Sequence, residues 1–126
     1  MINEKIGVFH GAKIDTREFG ANDIFDYFKE FMQYMYKMRG EEPLTENELV
    51  DAFDLWCDFD YIIRPEYMNL IFIGNFEVDI SEDSEDCCVR LDGANIIEMW
   101  KSQFISFLKE EGIEMEVGTF FLKYSY

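Results

Sequence analysis

Met68-Asn69-Leu70-Ile71-Phe72-Ile73-Gly74-Asn75-Phe76-Glu77-Val78-Asp79-Ile80 carries the longest β-type pattern in the chain. Met68, Leu70, Phe72, Phe76, Val78 and Ile80 keep a period of two, and the intervening Asn69, Asn75, Glu77 and Asp79 are polar. Side chains alternate faces along a strand, and the phase carries through Gly74-Asn75, so the segment reads as one long strand with a bend or bulge at that point. A two-residue hairpin at Gly74-Asn75 is the competing reading, and it would put Leu70 and Phe72 on the face of Glu77 and Asp79. The β-like stretch begins at Tyr61. Residues 81–86 form a connecting loop after it, and 87–91 form the returning strand.

Helical patterns flank this strand. Asn22 is placed to cap a first helix, with Asp23 and Asp26 near its positive end. Ile24, Phe28, Phe31, Met35 and Met38 recur at steps of four and three on one face, widened by Phe25, Met32 and Tyr36. Lys37 and Arg39 suit the negative end, and Gly40 is the stop. Thr45-Glu46-Asn47-Glu48 is a capping box, in which hydroxyl and carboxylate each accept from a backbone N–H of the other residue. Leu44 and Leu49 stand where a hydrophobic staple closes around it. The second helix is predicted over 46–58, with Leu49, Ala52, Phe53 and Trp56 facing the core. A third, over 94–111, buries Ile97, Trp100, Phe104 and Leu108 and ends at Gly112. Lys5 to Phe9 reads as a short first strand, and Glu114 to Tyr124 as the last. In that last strand Phe120-Phe121-Leu122 is apolar on both faces, which fits a central strand or an interface between copies. The predicted order is β-α-α-β-β-α-β. It makes a single α+β domain with helices packed on one face of a mainly antiparallel sheet.

Charge narrows the function. The 126 residues carry a net charge of −16, yet 48% are hydrophobic and 17% aromatic, which excludes an acidic disordered chain. The acids concentrate in the middle. Between Gly40 and Val89 stand Glu41, Glu42, Glu46, Glu48, Asp51, Asp54, Asp58, Asp60, Glu66, Glu77, Asp79, Glu82, Asp83, Glu85 and Asp86, against Arg64 alone. Direct binding to nucleic acid or to an anionic membrane is disfavoured, because both depend on Lys and Arg. A basic protein is the complementary partner. No apolar run approaches a membrane span, and the N-terminus lacks the apolar core of a signal peptide. Cys57, Cys87 and Cys88 are odd in number and form no CxxC pair, the expectation for reduced thiols in a cytoplasmic protein.

Motifs for chemistry are missing. His10, the single histidine, has no nucleophile or carboxylate placed beside it by any motif, so a surface position is expected. Cys57 lies among acids next to Trp56 and Phe59, a setting for a packed thiol. The stretch from Asp79 brushes a calcium-loop pattern but has Ser84 where the turn needs glycine and Arg90 where a bidentate glutamate belongs. No phosphate-cradling glycine loop occurs. The chain is therefore expected to be no enzyme and to take no cofactor or metal.

What remains is the acidic surface. Asp51, Asp54 and Asp58 fall at i, i+3 and i+7, opposite Leu49, Phe53 and Trp56, at steps of roughly 4.5 and 6 Å along a helix axis. Like charges at such spacing destabilise a helix by about 0.2–0.5 kcal/mol per pair. Glu48 extends the row, and Glu82, Asp83, Glu85 and Asp86 form a second cluster. These eight residues are the predicted partner-binding set. A plain alternative is a solvated acid set that keeps an apolar chain in solution. In composition, the profile resembles that of small DNA-mimic inhibitors from phages and mobile elements, the anti-CRISPR and antirestriction proteins. The resemblance implies a protein–protein inhibitor that occupies the nucleic-acid site of a nuclease or similar effector. Two other readings stand beside it: an immunity or antitoxin protein neutralising a basic toxin, and a small-molecule enzyme or ligand-binding protein that uses paired carboxylates in a pocket.

Overall fold

The computed structural model describes residues 4–65, 68–79 and 98–125. Strand β1 (Glu4–Asp15) leads through a short 3-10 turn at Thr16–Phe19 into helix α1 (Ile24–Met38), then α2 (Glu46–Asp58), strands β2 (Ile62–Ile63) and β3 (Leu70–Asp79), helix α3 (Glu98–Glu110) and strand β4 (Glu116–Ser125). The order is β-α-α-β-β-α-β and the class is α+β. The four strands form an antiparallel sheet in the order β2-β3-β1-β4.

The helices begin and end where local chemistry satisfies their terminal groups. At α1 the cap is Asp23, not Asn22: its carboxylate accepts from the Asp26 N–H at 3.0 Å, and the Asp26 carboxylate accepts from the Asp23 N–H at 3.1 Å. Asn22 lacks an acidic partner three residues on, so the reciprocal pair forms one residue later. The predicted box at α2 is present, with Glu48 N–H donating to Thr45 Oγ1 (3.3 Å) and Thr45 N–H to Glu48 Oε1 (3.1 Å). Helix α1 stops at Gly40 in the left-handed conformation, and Gly112 does the same after α3.

Three short helices cannot stand alone, and aromatic packing joins them. Phe28 meets Phe53 and Trp56 of α2 and Phe104 of α3 at centroid distances of 5.3–5.8 Å. Phe31 packs at a tilt against Phe104 and Phe107. This layer lies on Ala12, Ile14, Ile62, Ile71 and Ile73, so all three helices share one face of the sheet. Met38, expected in the core stripe, is 69% exposed, whereas Met32, expected on the widened margin of that stripe, is buried. Fourteen residues bring Met38 back to within about 40° of Ile24, so its exposure comes from its place as the last residue of α1 and not from the side of the helix it occupies.

The opposite face holds a second cluster of Phe9, Ile63, Phe72, Leu122 and Tyr124 with Leu70, Phe76 and Phe120. Strand β3 is thus apolar on both faces over Leu70–Ile73, where alternation alone credits only Leu70 and Phe72. A strand buried on both sides reads as a continuous apolar run. The chain does pass straight through Gly74, and no hairpin forms there. The irregularity lies nearer the strand's end: Phe9 faces Phe76 and Val8 faces Val78, which leaves Glu77 as the extra residue. The β-like stretch from Tyr61 is two strands, Ile62–Ile63 and Leu70–Asp79, because the chain turns back so that Ile62 and Ile63 pair antiparallel with Ile73 and Phe72. The returning strand predicted at 87–91, and Ile97 of the third helix, lie outside the described residues.

Strand β1 runs to Asp15, well beyond the predicted Phe9. Its extension passes through Gly11, which sits directly opposite Gly74. A Cβ on Gly11 would overlap the Ile73 carbonyl oxygen, and a Cβ on Gly74 would overlap that of His10. The two glycines therefore permit a backbone approach that no side chain allows. Gly11→Ala and Gly74→Ala should each lower the unfolding free energy by about 3 kcal/mol or more, read from urea denaturation.

Candidate functional site

Helix α2 presents its two sides unequally. Leu49 and Phe53 are buried, with Ala52 and Trp56 packed at their margin. Asp51, Asp54 and Asp58 are all exposed, as is Glu48. The row predicted from spacing is thus brought onto one solvent-facing stripe. Glu48 differs from the other three because its carboxylate is engaged by the Thr45 N–H. Neighbouring Glu46 is also occupied, facing Lys29 Nζ at 3.4 Å. Asp51, Asp54 and Asp58 make no ion pair with any described cation. Glu82, Asp83, Glu85 and Asp86 lie outside the described residues.

The stripe works against the helix that bears it. The last turn of α2 contains no basic residue, and Asp58 stands at the end where the carbonyl groups already carry partial negative charge. An acid there costs about 0.3–1 kcal/mol. The chain offsets this by closing the helix firmly. Asp60 takes a left-handed backbone (φ 59°), its N–H donates to the Cys57 carbonyl (3.0 Å) and the Tyr61 N–H to that of Trp56 (2.9 Å). This is a Schellman closure with aspartate in the position usually held by glycine. The Asp60 carboxylate then accepts from the Tyr124 hydroxyl and pairs with Lys5 Nζ at 3.3 Å, which ties the end of α2 to β4 and β1.

Around this tie lies an open hollow of about 420 Å³, lined by Lys5, Cys57, Asp58, Asp60, Ile62, Ile63, Arg64 and Tyr124. Arg64, the one base of the acidic middle segment, places its guanidinium 5.2 Å from the centre of the Phe53 ring. The hollow contains two carboxylates, the feature a ligand-binding reading calls for. Asp60, however, is already held by Lys5 and Tyr124, so its role is structural. Cys57 is half-buried and its sulfur is unbridged. Burial pushes its thiol above the ordinary value; Arg64 pulls the other way, and Asp54 and Asp58 add to the rise. Its neighbourhood is therefore less purely acidic than the sequence indicates, yet the net effect keeps it protonated. His10 is exposed on β1 and shares a 3.0 Å hydrogen bond with Thr119 Oγ1.

Among the described residues no group of three or more His, Cys, Asp or Glu is placed to hold a metal ion. No described helix is long and apolar enough to cross a membrane. Sequence reasoning missed the Asp60–Lys5–Tyr124 tie and the position of Arg64. Aspartate just past a helix end, where a left-handed residue is needed, was the available signal for the first. Nothing local marks Lys5 and Tyr124 as its partners, which lie 55 and 64 residues away. No family model, no curated protein and no solved structure matches this chain.

Two outcomes follow from this geometry. Asp58→Lys should raise the stability of the isolated protein by about 0.5–1 kcal/mol, seen as a higher urea midpoint, since it relieves both the helix end and Asp54. In a Cys87→Ser, Cys88→Ser background, alkylation of Cys57 by iodoacetamide should stay slow at pH 8. Its rate should rise with a midpoint above that of a free cysteine, because the thiolate forms only at higher pH when burial disfavours it.

Proposed function

We propose that this protein is an acidic binding protein whose α2 face occupies a cationic surface on another protein, of the kind that grips nucleic acid. The observation that carries this reading is the unrelieved row of Asp51, Asp54 and Asp58, which runs from the middle of α2 to its carboxyl-terminal residue. A row kept only for solubility would cost less elsewhere on the surface, on a helix end that tolerates acids. Rows of carboxylates a few ångströms apart offer Arg and Lys what a phosphate backbone offers, and Arg binds either in a two-point fork. The protein would act in the cytoplasm as an inhibitor of a nuclease-type effector, without catalysis of its own. Glu48 plays a lesser part here than Asp51, Asp54 and Asp58, because breaking its capping contact to engage a partner would loosen the start of α2. Neutralisation of a basic toxin uses the same surface, and the identity of the captured partner separates the two readings.

The test is capture from a lysate on immobilised protein, with elution by salt, followed by competition for the captured partner against its nucleic acid. The wild type should retain a basic nucleic-acid-binding protein and compete with its DNA or RNA. Its association rate should fall by about tenfold or more as salt is raised from low to physiological strength and beyond. The triple variant Asp51→Lys, Asp54→Lys, Asp58→Lys should lose capture while keeping its helical circular dichroism. Undiminished capture by that variant would sink the proposal.

A further inference from the structure

Two large apolar side chains stand beside the aspartate row. Leu55 is 52% exposed and Phe59 58% exposed. Leu55 follows Asp51 by four residues and precedes Asp58 by three, so it borders the row on the same side of α2. Phe59 comes one turn further along. It caps the helix, and its N–H still donates to the Leu55 carbonyl at 3.0 Å, the helical four-residue step. The two side chains therefore form one ridge along the flank of the carboxylates. Tyr61 backs the ridge, its ring tilted against that of Phe59 at a centroid distance of 5.7 Å.

A single exposed leucine needs no special account. A leucine and a phenylalanine on one ridge, bordered by three carboxylates that no described cation meets, form a composite surface. Its charge selects the occupant. A second copy would bring aspartates against aspartates, and the whole chain carries −16. The occupant must be cationic, and it must also offer apolar surface to Leu55 and Phe59. Nucleic-acid sites divide on this point. A duplex turns its phosphates outward and keeps its bases stacked inside, so a protein that grips its backbone needs charge. A single strand exposes the flat faces of its bases next to its phosphates, and sites for it combine a basic groove with aromatic platforms.

We infer that α2 imitates a single strand and not a duplex. Asp51, Asp54 and Asp58 take the part of phosphates, and Leu55 and Phe59 that of unstacked bases. The partner is a basic protein surface with aromatic side chains set among its arginines and lysines. This rests on the role proposed above for the aspartate row and adds the apolar half of the contact. Charge brings the two surfaces together, and the ridge governs how long they stay.

Fluorescence anisotropy with two synthetic probes tests this. One peptide alternates arginine with tryptophan and the other alternates arginine with glycine, at equal length and charge. Each is titrated with the whole chain at physiological salt. The wild type should bind the tryptophan peptide about tenfold or more tightly than the glycine peptide. The double variant Leu55→Gln, Phe59→Gln should erase that preference while keeping its helical circular dichroism and its weaker grip on the glycine peptide. Leu55→Gln alone, which disturbs no ring contact, should lower the preference by about threefold. Phe121→Gln removes the most exposed ring among the described residues, on β4, and should leave the preference intact. Equal binding of the two peptides by the wild type would overturn the inference. So would a preference that survives the double variant or disappears with Phe121→Gln, and in each case the role of the aspartate row would still stand. Undiminished binding of both peptides by Asp51→Asn, Asp54→Asn, Asp58→Asn would instead remove that role, and the inference with it.

Discussion

The contact between Gly11 and Gly74 is the constraint on which the rest of the molecule is arranged. Two paired antiparallel strands approach there at a separation that excludes any Cβ. The close approach lets β1 and β3 continue as single long strands while the sheet serves two apolar clusters, one under the helices and one on the reverse side. A side chain at either position would force the strands apart. Pairing would then be lost on both sides of the glycine pair, with Ala12 and Ile14 displaced from the helix-facing core and Phe9 from the other. Because β1 also carries β4, a displacement at Gly11 reaches the sheet's outer edge.

Against this frame the charge distribution makes sense as a division of labour within the sheet. The β2 side bears α2, whose exposed aspartates oppose the helix dipole and each other. The β4 side is balanced in charge and apolar. Asp60 joins the two: its backbone ends α2, and its carboxylate reaches Lys5 and Tyr124. Of the acids in the middle segment, some are thus structural. Glu48 caps, Glu46 faces Lys29 and Asp60 ties. Within α2, setting aside Glu46 and Glu48 leaves Asp51, Asp54 and Asp58 as acids with no described partner, and it is that lack of internal purpose that points outward.

The legible parts of the fold were those fixed by neighbours in sequence. The capping box at Thr45, the bounds of α2, the glycine stops at Gly40 and Gly112 and the continuity of β3 through Gly74 all depend on residues within a few positions of one another. What escaped was set by distant partners. The length of β1 depends on the Gly74 opposite Gly11, and the bulge at Glu77 on the pairing of Val8 and Phe9. Ile71 and Ile73 were overlooked because a period of two, applied to a strand buried on both faces, sees only one of them. The stripe on α2 was legible because helical spacing alone assigns its side. The occupancy of Asp60 was not, because its partners come from the two terminal strands.

The ladder between β1 and β4 has a consequence for how the chain comes into being. Strand β1 is made before the other three described strands yet takes an inner place in the sheet, and one of its two neighbours is built from residues 116–125. Until those are made, β1 has no β4 partner and Phe9 lacks Leu122 and Tyr124 beside it. Contacts of such long sequence separation form late and slowly. The helices can gather as they emerge, but the sheet must wait for the last strand. A nascent chain stalled before residue 116 would thus hold an open apolar surface for chaperones or proteases to find, and quality control could recognise it by that surface.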